Sequence, residues 1–420
     1  MNYKDYGRHL LEALLIGLKW IGFGILCGIL VGGVSAKFAN GIVLVTKFRT
    51  AHPQILYLLP LAGLFIIAYY RLLGVKQPKG TNLVLSSIRE GEAVPGRMAP
   101  LIILSTILTH LFGGSAGREG AALQVGGSMG DALGRLVRIP QKDRRTVIIC
   151  GMSASFSALF GTPLAAAILS MEISTVGIMY YSSLVPAVIS ALTAHLIAQR
   201  LGVTGEAFPI PNLPVFGART ALITILFSVG CAVVSVLFCT VMHRMKRLMQ
   251  HRFPNSYLRV LVASAVVIVL TLLVGDQTYN GTGAHILEQC MTEPGFRIVW
   301  YAFLLKILFT AVTLSGGFQG GEIVPSLFIG ATFGNAVAAF SGLDPAFLSA
   351  LGMCAVFCGV TNCPMATLLI SFELFGFGAS SFFLIAVAIT YLFSGNYGLY
   401  ASQKILYSKL EHSRVDRFTH

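Results

Sequence analysis

Gly113-Gly114-Ser115-Ala116-Gly117-Arg118-Glu119-Gly120 places an arginine and a glutamate inside a glycine-rich turn between two apolar segments. An ionisable side chain inside a membrane costs about 2.5–3.5 kcal/mol on insertion scales, so it usually lines a pathway or binds a ligand. The apolar stretch that begins at Ala121 predicts a helix directly after the turn. Free N–H groups and the positive dipole end of such a helix attract anions. The stretch therefore predicts an anion site, and a surface loop with a helix-capping glutamate is the simpler alternative.

The composition indicates a polytopic membrane protein. Of 420 residues, 55% are hydrophobic and 11% are charged, where a soluble domain carries about 25% charged residues. The mean hydropathy is +0.77. The net charge of +13 does not require a nucleic-acid partner, because the basic residues cluster in two stretches that we expect to be short cytoplasmic loops. These residues are Arg135, Arg138, Lys142, Arg144 and Arg145, then Arg244, Lys246, Arg247 and Arg252. The second stretch has an alternative role as an amphipathic segment at lipid headgroups.

Apolar segments recur along the chain in two similar series. The first segment, 10–34, is too long for the core of a cleaved signal, so we expect a retained span. Several later segments are short and contain Gly or Pro, which favours tilted or broken helices. The polar stretch Gly202–Gly217 separates the series, so we expect a first membrane repeat at 1–205, a linker at 206–217 and a second repeat at 218–420. The segments are 10–34, 54–74, 98–112, 116–133, 146–160, 163–178 and 181–200, then 218–243, 258–274, 298–314, 323–341, 345–360, 363–376 and 380–398.

The two series are related by duplication. Gly151–Glu172 lies over Gly352–Glu373 without gaps, and the matches include Pro163 with Pro364 and Glu172 with Glu373. In this register the cysteine cluster replaces small polar residues, which argues against a metal site. Cys354, Cys358 and Cys363 lie over Ser153, Ser157 and Thr162.

The glycine turn is duplicated as well. Gly113-Gly114-x-x-Gly117-x-Glu119 lies over Gly316-Gly317-x-x-Gly320-x-Glu322, so we expect Glu322 to be the repeat mate of Glu119. Matched broken helices in duplicated halves are typical of a transporter whose ion site lies at the repeat interface. Identities alone leave open whether the halves are parallel or inverted.

Four motifs in order resemble the CLC family of chloride channels and proton-coupled anion antiporters. They are Gly117-Arg118-Glu119-Gly120, Gly151–Pro163, Gly321-Glu322-Ile323-Val324-Pro325 and the late Tyr400. The resemblance implies an all-α polytopic membrane fold with two inverted halves, many tilted and broken helices, and a homodimer with one pore per subunit. It also implies that Glu119 is the gating glutamate and that Tyr400 supplies a hydroxyl to the central anion site.

Departures from chloride-transporting relatives resemble the fluoride/proton antiporter branch. Lys79-Gly80-Thr81-Asn82-Leu83 stands where those relatives carry a central serine, and Glu322 with Ile323 replaces an apolar residue and a phenylalanine. Val324 stands where one form of the fluoride branch has threonine. The chain ends about twenty residues after Tyr400, so we expect no cytoplasmic regulatory domain. The resemblance implies export of fluoride in exchange for protons across a prokaryotic plasma membrane.

A fluoride ion holds water tightly, so its site needs close N–H and O–H donors or positive aromatic edges. We expect Glu119 as the proton-accepting gate and Glu322 as a second acid in the ion or proton path, with no cofactor and no metal. An ion pair that only joins helices is the alternative for Glu322, and an interfacial belt position is the alternative for Tyr400. The expected anion-binding residues are Gly117, Arg118, Gly120, Thr81, Asn82, Ile323, Val324 and Tyr400.

Two other functions compete with fluoride antiport. A chloride channel or chloride/proton antiporter of the same family would use the same gate, so sequence does not separate it from the fluoride exchanger. An intramembrane serine protease would pair Ser115 with His110, but the required Gly-x-Ser-Gly pattern fails because Ala116 follows the serine. We therefore expect a transporter and not an enzyme.

Overall fold

The computed structural model describes residues 3–75, 78–205, 207–293, 295–411 and 413–420. Within these ranges it contains sixteen α-helices and three short strands. The first eight helices are α1 (Tyr3–Ala51), α2 (Leu59–Leu72), α3 (Thr81–Glu90), α4 (Met98–Leu111), α5 (Glu119–Leu136), α6 (Arg144–Phe160), α7 (Pro163–Glu172) and α8 (Leu184–Arg200). The other eight are α9 (Ala218–Arg252), α10 (Ser256–Val274), α11 (Ala284–Thr292), α12 (Ala302–Gly316), α13 (Ile323–Ser341), α14 (Pro345–Thr361), α15 (Pro364–Phe375) and α16 (Ser380–Phe393).

The helix lengths fit the expectation of tilted and broken segments. Six apolar stretches in the described ranges are long enough to cross a membrane, and six further apolar helices have only 10–17 residues. Helix α1 is longer than the predicted segment 10–34, since it spans 49 residues. Hydropathy marks only the part of a helix that suits lipid, whereas the backbone stays helical until Pro53 prevents its continuation.

One of the two predicted basic loops is wrong. Arg244, Lys246, Arg247 and Arg252 lie in the last turns of α9, and not in a connection between helices. Basic residues are favourable at that position because they face the negative end of the helix dipole. The other basic cluster does fall at a connection, between the end of α5 and the start of α6.

Two helices and a small sheet lie outside the predicted apolar segments. Helices α3 and α11 are short and mix polar with apolar residues, so hydropathy does not reveal them. Strand β1 (Thr175–Val176) pairs in parallel with β2 (Lys404–Tyr407), which pairs antiparallel with β3 (Arg414–Phe418). This sheet joins the segment after Tyr400 to the connection between α7 and α8.

Helices α7 and α15 show that the duplicated halves are inverted. Glu172 at the end of α7 accepts hydrogen bonds from the Met365 and Ala366 amides at the start of α15, at 3.2 and 2.9 Å. Glu373 near the end of α15 accepts from the Leu164 and Ala165 amides at the start of α7, at 3.0 and 2.9 Å. Each helix therefore caps the other, which requires an antiparallel arrangement. The residues that exchange these bonds are those that the sequence overlay pairs.

Candidate anion and proton site

The site lies where the first turns of α5 and α13 meet. The Gly117 amide donates to the Gly321 carbonyl and the Gly321 amide donates to the Gly117 carbonyl, both at 2.7 Å. A β-carbon at Gly120 would lie 2.8 Å from the Gly321 Cα, so the two backbones approach this closely only with glycine. Two positive helix ends with free N–H groups thereby converge, which favours bound negative charge.

The positions at which α5 and α13 begin show that the expected alignment of the two glycine turns is shifted by one residue. Helix α5 begins at Glu119 after Arg118, and α13 begins at Ile323 after Glu322. With Gly117 paired to Gly321, Glu322 corresponds to Arg118, and Ile323 corresponds to Glu119. The expectation that Glu322 is the repeat mate of Glu119 is wrong, because repeated glycines allow two overlays that differ by one residue. Both acids still lie at the same junction.

Glu119 folds its carboxylate back onto its own turn. Its Oε2 accepts from the Arg118 amide at 3.1 Å, and its Oε1 accepts from Arg118 Nε at 3.0 Å. The glutamate is 1% exposed. The carboxylate thus occupies a backbone donor at the helix start, as an anion bound there would. Arg118 balances the charge of Glu119 in this conformation.

Glu322 faces the first turn of α5. Its Oε2 would lie 3.4 Å from a β-carbon at Gly120, and this buried oxygen has no hydrogen-bond partner in the described ranges. The described residues contain no ion pair to Glu322 within the 4.0 Å limit for such pairs. The alternative of an ion pair that only joins helices therefore has no contact to support it. A buried carboxyl oxygen without a hydrogen-bond partner is uncommon in folded proteins.

Tyr400 lies inside the protein and not at the membrane interface. It is 1% exposed, and its hydroxyl has no hydrogen-bond partner in the described ranges. The belt alternative is therefore wrong, since a belt tyrosine meets water and lipid. The Tyr400 hydroxyl lies within electrostatic range of the Glu322 carboxyl group. A buried hydroxyl without a partner is an available donor for an anion.

Thr81 and Asn82 reach the site by other contacts. The Thr81 hydroxyl donates to the Gly120 carbonyl at 3.3 Å, and Asn82 Oδ1 accepts from the Ser402 amide at 2.9 Å. In this conformation Thr81 braces the first turn of α5, and Asn82 ties the start of α3 to the segment that carries Tyr400. Ile323 and Val324 contribute the first amides of α13, and a β-carbon at Gly117 would lie 3.1 Å from the Val324 nitrogen.

Two glutamines near the site did not emerge from the sequence. Gln124 Nε2 donates to Thr81 Oγ1 at 3.3 Å and to the Gly120 carbonyl at 3.2 Å. Gln403 is fully buried, and its Nε2 donates to the Ile173 and Thr361 carbonyls at 2.8 and 2.7 Å. The feature of the sequence that could have pointed to each glutamine is an isolated amide side chain next to an apolar segment.

Ser115 and His110 do not form a catalytic pair. The Ser115 hydroxyl hydrogen-bonds with the Thr310 hydroxyl at 3.1 Å. The His110 Nδ1 lies 2.8 Å from the Thr106 carbonyl, to which it donates. Within the described residues, the Ser115 hydroxyl therefore pairs with a hydroxyl and not with a base that could activate it.

Comparisons with known proteins agree with this architecture. The sequence profile described as "Voltage gated chloride channel" matches residues 62–395. A protein of Pseudomonas syringae pv. tomato named "Chloride/fluoride channel protein" is 34% identical over 93% of this chain and 87% of its own length. The crystal structure of a CLC-type fluoride/proton antiporter is 33% identical and covers 94% of this chain and 99% of its own, with a TM-score of 0.89.

A more distant structure shares the fold alone. A slow cyanobacterial Cl⁻/H⁺ antiporter is 17% identical, covers 89% of this chain and 94% of its own, and has a TM-score of 0.77. The predicted all-α polytopic fold with inverted, broken helices is confirmed by these structures and by the mutual capping of α7 and α15. The chain belongs to the CLC family of voltage gated chloride channels and anion antiporters.

Proposed function

We propose that this protein is a fluoride/proton antiporter that expels fluoride from a prokaryotic cell in exchange for protons. The observation that carries the proposal is the meeting of two acids, Glu119 and Glu322, where two helix starts converge. The resemblance in fold and sequence to a CLC-type fluoride/proton antiporter supports the same function.

Glu119 is the proton-accepting gate in this proposal. Ionised, it holds the Arg118 amide and guanidinium, which are donors that an anion would need. Protonated, it loses most of its attraction to those donors, and an anion takes its place at the start of α5. Proton uptake and anion entry are then coupled by competition for one set of donors.

The anion site combines backbone and side-chain donors from both halves. Gly117 and Gly120 let the backbone come close, Arg118 supplies charge, and the first amides of α13 at Ile323 and Val324 complete the N–H set. The Tyr400 hydroxyl donates from the opposite segment. We propose that the Thr81 hydroxyl joins this set after its bond to the Gly120 carbonyl breaks, and that Asn82 shapes the contact.

Glu322 makes fluoride the favoured anion over chloride. It puts a second acid, whose Oε2 has no hydrogen-bond partner in the described ranges, beside the site. Such an acid suits a path that handles protons or hydrogen fluoride together with a strongly hydrated ion. Coupling also gives the direction of transport, because an inward proton gradient expels fluoride whereas a passive pore would only equilibrate it with the membrane potential. Chloride transport by the same gate is the second candidate, supported by the fold shared with a Cl⁻/H⁺ antiporter.

The organisation that we propose follows the helix series. Residues 1–205 form one membrane repeat and residues 218–420 the other, with 206–217 as the linker. The chain works as a homodimer in the lipid bilayer of the plasma membrane, with an independent pore in each subunit.

The deciding experiment is ion flux from liposomes loaded with fluoride or with chloride under matched gradients, with the internal pH recorded. We expect faster fluoride than chloride efflux, and fluoride efflux that drives protons inward against an imposed proton gradient. A fluoride-to-chloride ratio at or below one would overturn the choice of ion. Fluoride efflux without proton movement would overturn the coupling.

A further inference from the structure

Two buried cations, Arg49 on α1 and Lys306 on α12, lie behind the glycine turn and have no role in the gate described above. Arg49 is 4% exposed and Lys306 is fully buried. Both contact the loop before α11. Lys306 Nζ donates to the Tyr279 and Gly281 carbonyls at 3.1 and 2.8 Å, and a β-carbon at Gly281 would lie 2.8 Å from Arg49 Nη2.

The same loop holds the turn that precedes Glu119. Asn280 Nδ2 donates to the Gly113 carbonyl at 2.6 Å, and the Gly281 amide donates to the Gly114 carbonyl at 3.0 Å. Arg49 also reaches the glycine turn directly, since a β-carbon at Gly113 would lie 3.7 Å from Arg49 Cδ. His110 lies within electrostatic range of Arg49, Lys306 and Arg118, which places all three cations in one region.

The charge of this region is not balanced by the protein. In the described ranges no carboxylate lies within 4.0 Å of Arg49 or Lys306, which is the limit for an ion pair. Arg49 Nε and Nη1 are buried and have no hydrogen-bond partner there. An arginine stays charged in proteins, and an uncompensated buried charge costs several kcal/mol. A neutral water would satisfy a donor but would leave the charge of Arg49 uncompensated.

We propose that Arg49 and Lys306 form a second anion site, which holds the transported anion next to the Glu119 turn before it enters the gate. Arg49 Nε and Nη1 are the donors, and Lys306 adds positive charge while its own N–H groups hold the loop. A halide ion suits these donors because it accepts hydrogen bonds from several directions and carries the opposite charge. The identity of the anion rests on the proposed function, whereas the existence of the site does not.

The first test measures KM and kcat for the transported anion in liposomes. We expect Arg49→Met to raise KM at least about tenfold, the loss expected for removing charged hydrogen bonds, while kcat is retained. Arg49→Lys restores the charge and is expected to recover part of the affinity. Lys47→Met is the matched control, since Lys47 is an exposed cation two residues away on α1 and should leave KM unchanged.

The second test locates the ion directly, in crystals grown with bromide and measured for anomalous scattering. We expect a bromide peak within hydrogen-bond distance of Arg49 Nε or Nη1 that disappears in Arg49→Met and weakens in Lys306→Met. The bromide peak should persist in Glu119→Gln, because binding at Arg49 does not require transport. The crystallographic test therefore remains informative even if the transported anion is not fluoride. An unchanged KM in Arg49→Met, or water without bromide beside Arg49 in the wild type, would overturn the proposal. If Arg49→Met does not fold, Arg49→Lys and Lys306→Met provide the same readouts.

Discussion

Glu119 is the residue on which coupling depends in the proposed mechanism. Its carboxylate competes with an anion for the Arg118 donors. A side chain that cannot ionise should therefore leave these donors available to the anion at all times. We expect Glu119→Gln to abolish proton movement while anion flux persists as a leak. Simultaneous recording of fluoride and pH in liposomes measures both. Uphill proton transport by purified Glu119→Gln would refute the gate assignment.

Glu322 differs from Glu119 because its buried Oε2 has no partner. Removing an acid from a purely structural position would lower stability, whereas removing it from the ion or proton path would lower transport. We expect Glu322→Gln to reduce coupled fluoride transport at least about tenfold with little change in thermal stability. Glu288→Gln neutralises an exposed acid on α11 and serves as the control. Undiminished transport with normal coupling in Glu322→Gln would instead support a structural role.

Removing the Tyr400 hydroxyl should affect anion binding without affecting folding. A buried hydroxyl without a partner costs roughly 1–3 kcal/mol, so its removal should not destabilise the protein in the absence of the anion. We expect Tyr400→Phe to keep the melting temperature without fluoride and to raise the fluoride KM. Tyr70→Phe is a matched control, because Tyr70 is also buried and its hydroxyl also lacks a partner. An unchanged KM in Tyr400→Phe would remove the hydroxyl from the anion site.

At the scale of elements, mutual capping of α7 and α15 holds the two halves together. Glu373 satisfies two amides at the start of α7, and Glu172 satisfies two at the start of α15. We expect Glu373→Ala to lower stability by about 1–2 kcal/mol, as loss of a helix cap does, and Glu373→Gln to lower it less because one acceptor oxygen remains. Thermal unfolding in detergent measures the difference, with Glu288→Ala as control. Equal stability of all three variants would show that the caps contribute nothing.

Helices α5 and α13, whose first turns form the site, were predictable from sequence because hydropathy, Gly and Pro mark their ends. The overlay of Glu172 with Glu373 also located the residues that exchange caps. Helices α3 and α11 could not be predicted in the same way, since their stability comes from packing and not from an apolar run. The register of the second glycine turn was predicted wrongly because the expected overlay matches three glycines and the observed one only two. Only the paired amides of Gly117 and Gly321 show the shift by one residue.

Single-sequence reasoning also has a limit at the site itself. It singled out Glu119 and Glu322 because acids stand out against an apolar background, and it proposed Tyr400 from the resemblance to the CLC family. It missed Gln403, because nothing in the sequence indicates that this amide bridges the Ile173 and Thr361 carbonyls. The contact with Ile173 joins residues 230 positions apart, and such contacts are decided by the packing of the whole molecule.

At the scale of the whole molecule, α7, α8, α15 and α16 form one continuous group of packed helices. Its outer helices expose apolar side chains, with Leu192 on α8 at 40% and Leu384 on α16 at 57%. Such a face must meet lipid or protein, and a homodimer would use it as a two-fold interface. The eight native cysteines are all buried, so an engineered surface cysteine reacts selectively.

We therefore expect Leu192→Cys or Leu384→Cys to give a covalent dimer with a bifunctional maleimide in mild detergent. Leu226→Cys on α9 is the control, because Leu226 is 64% exposed but lies on a different helix, which we expect to face lipid. If each subunit has its own pore, a dimer with one Glu119→Gln subunit should keep half of the coupled transport of the wild type. Monomers alone after cross-linking at both positions would exclude this face as the interface, and complete loss of coupling in the mixed dimer would exclude independent pores.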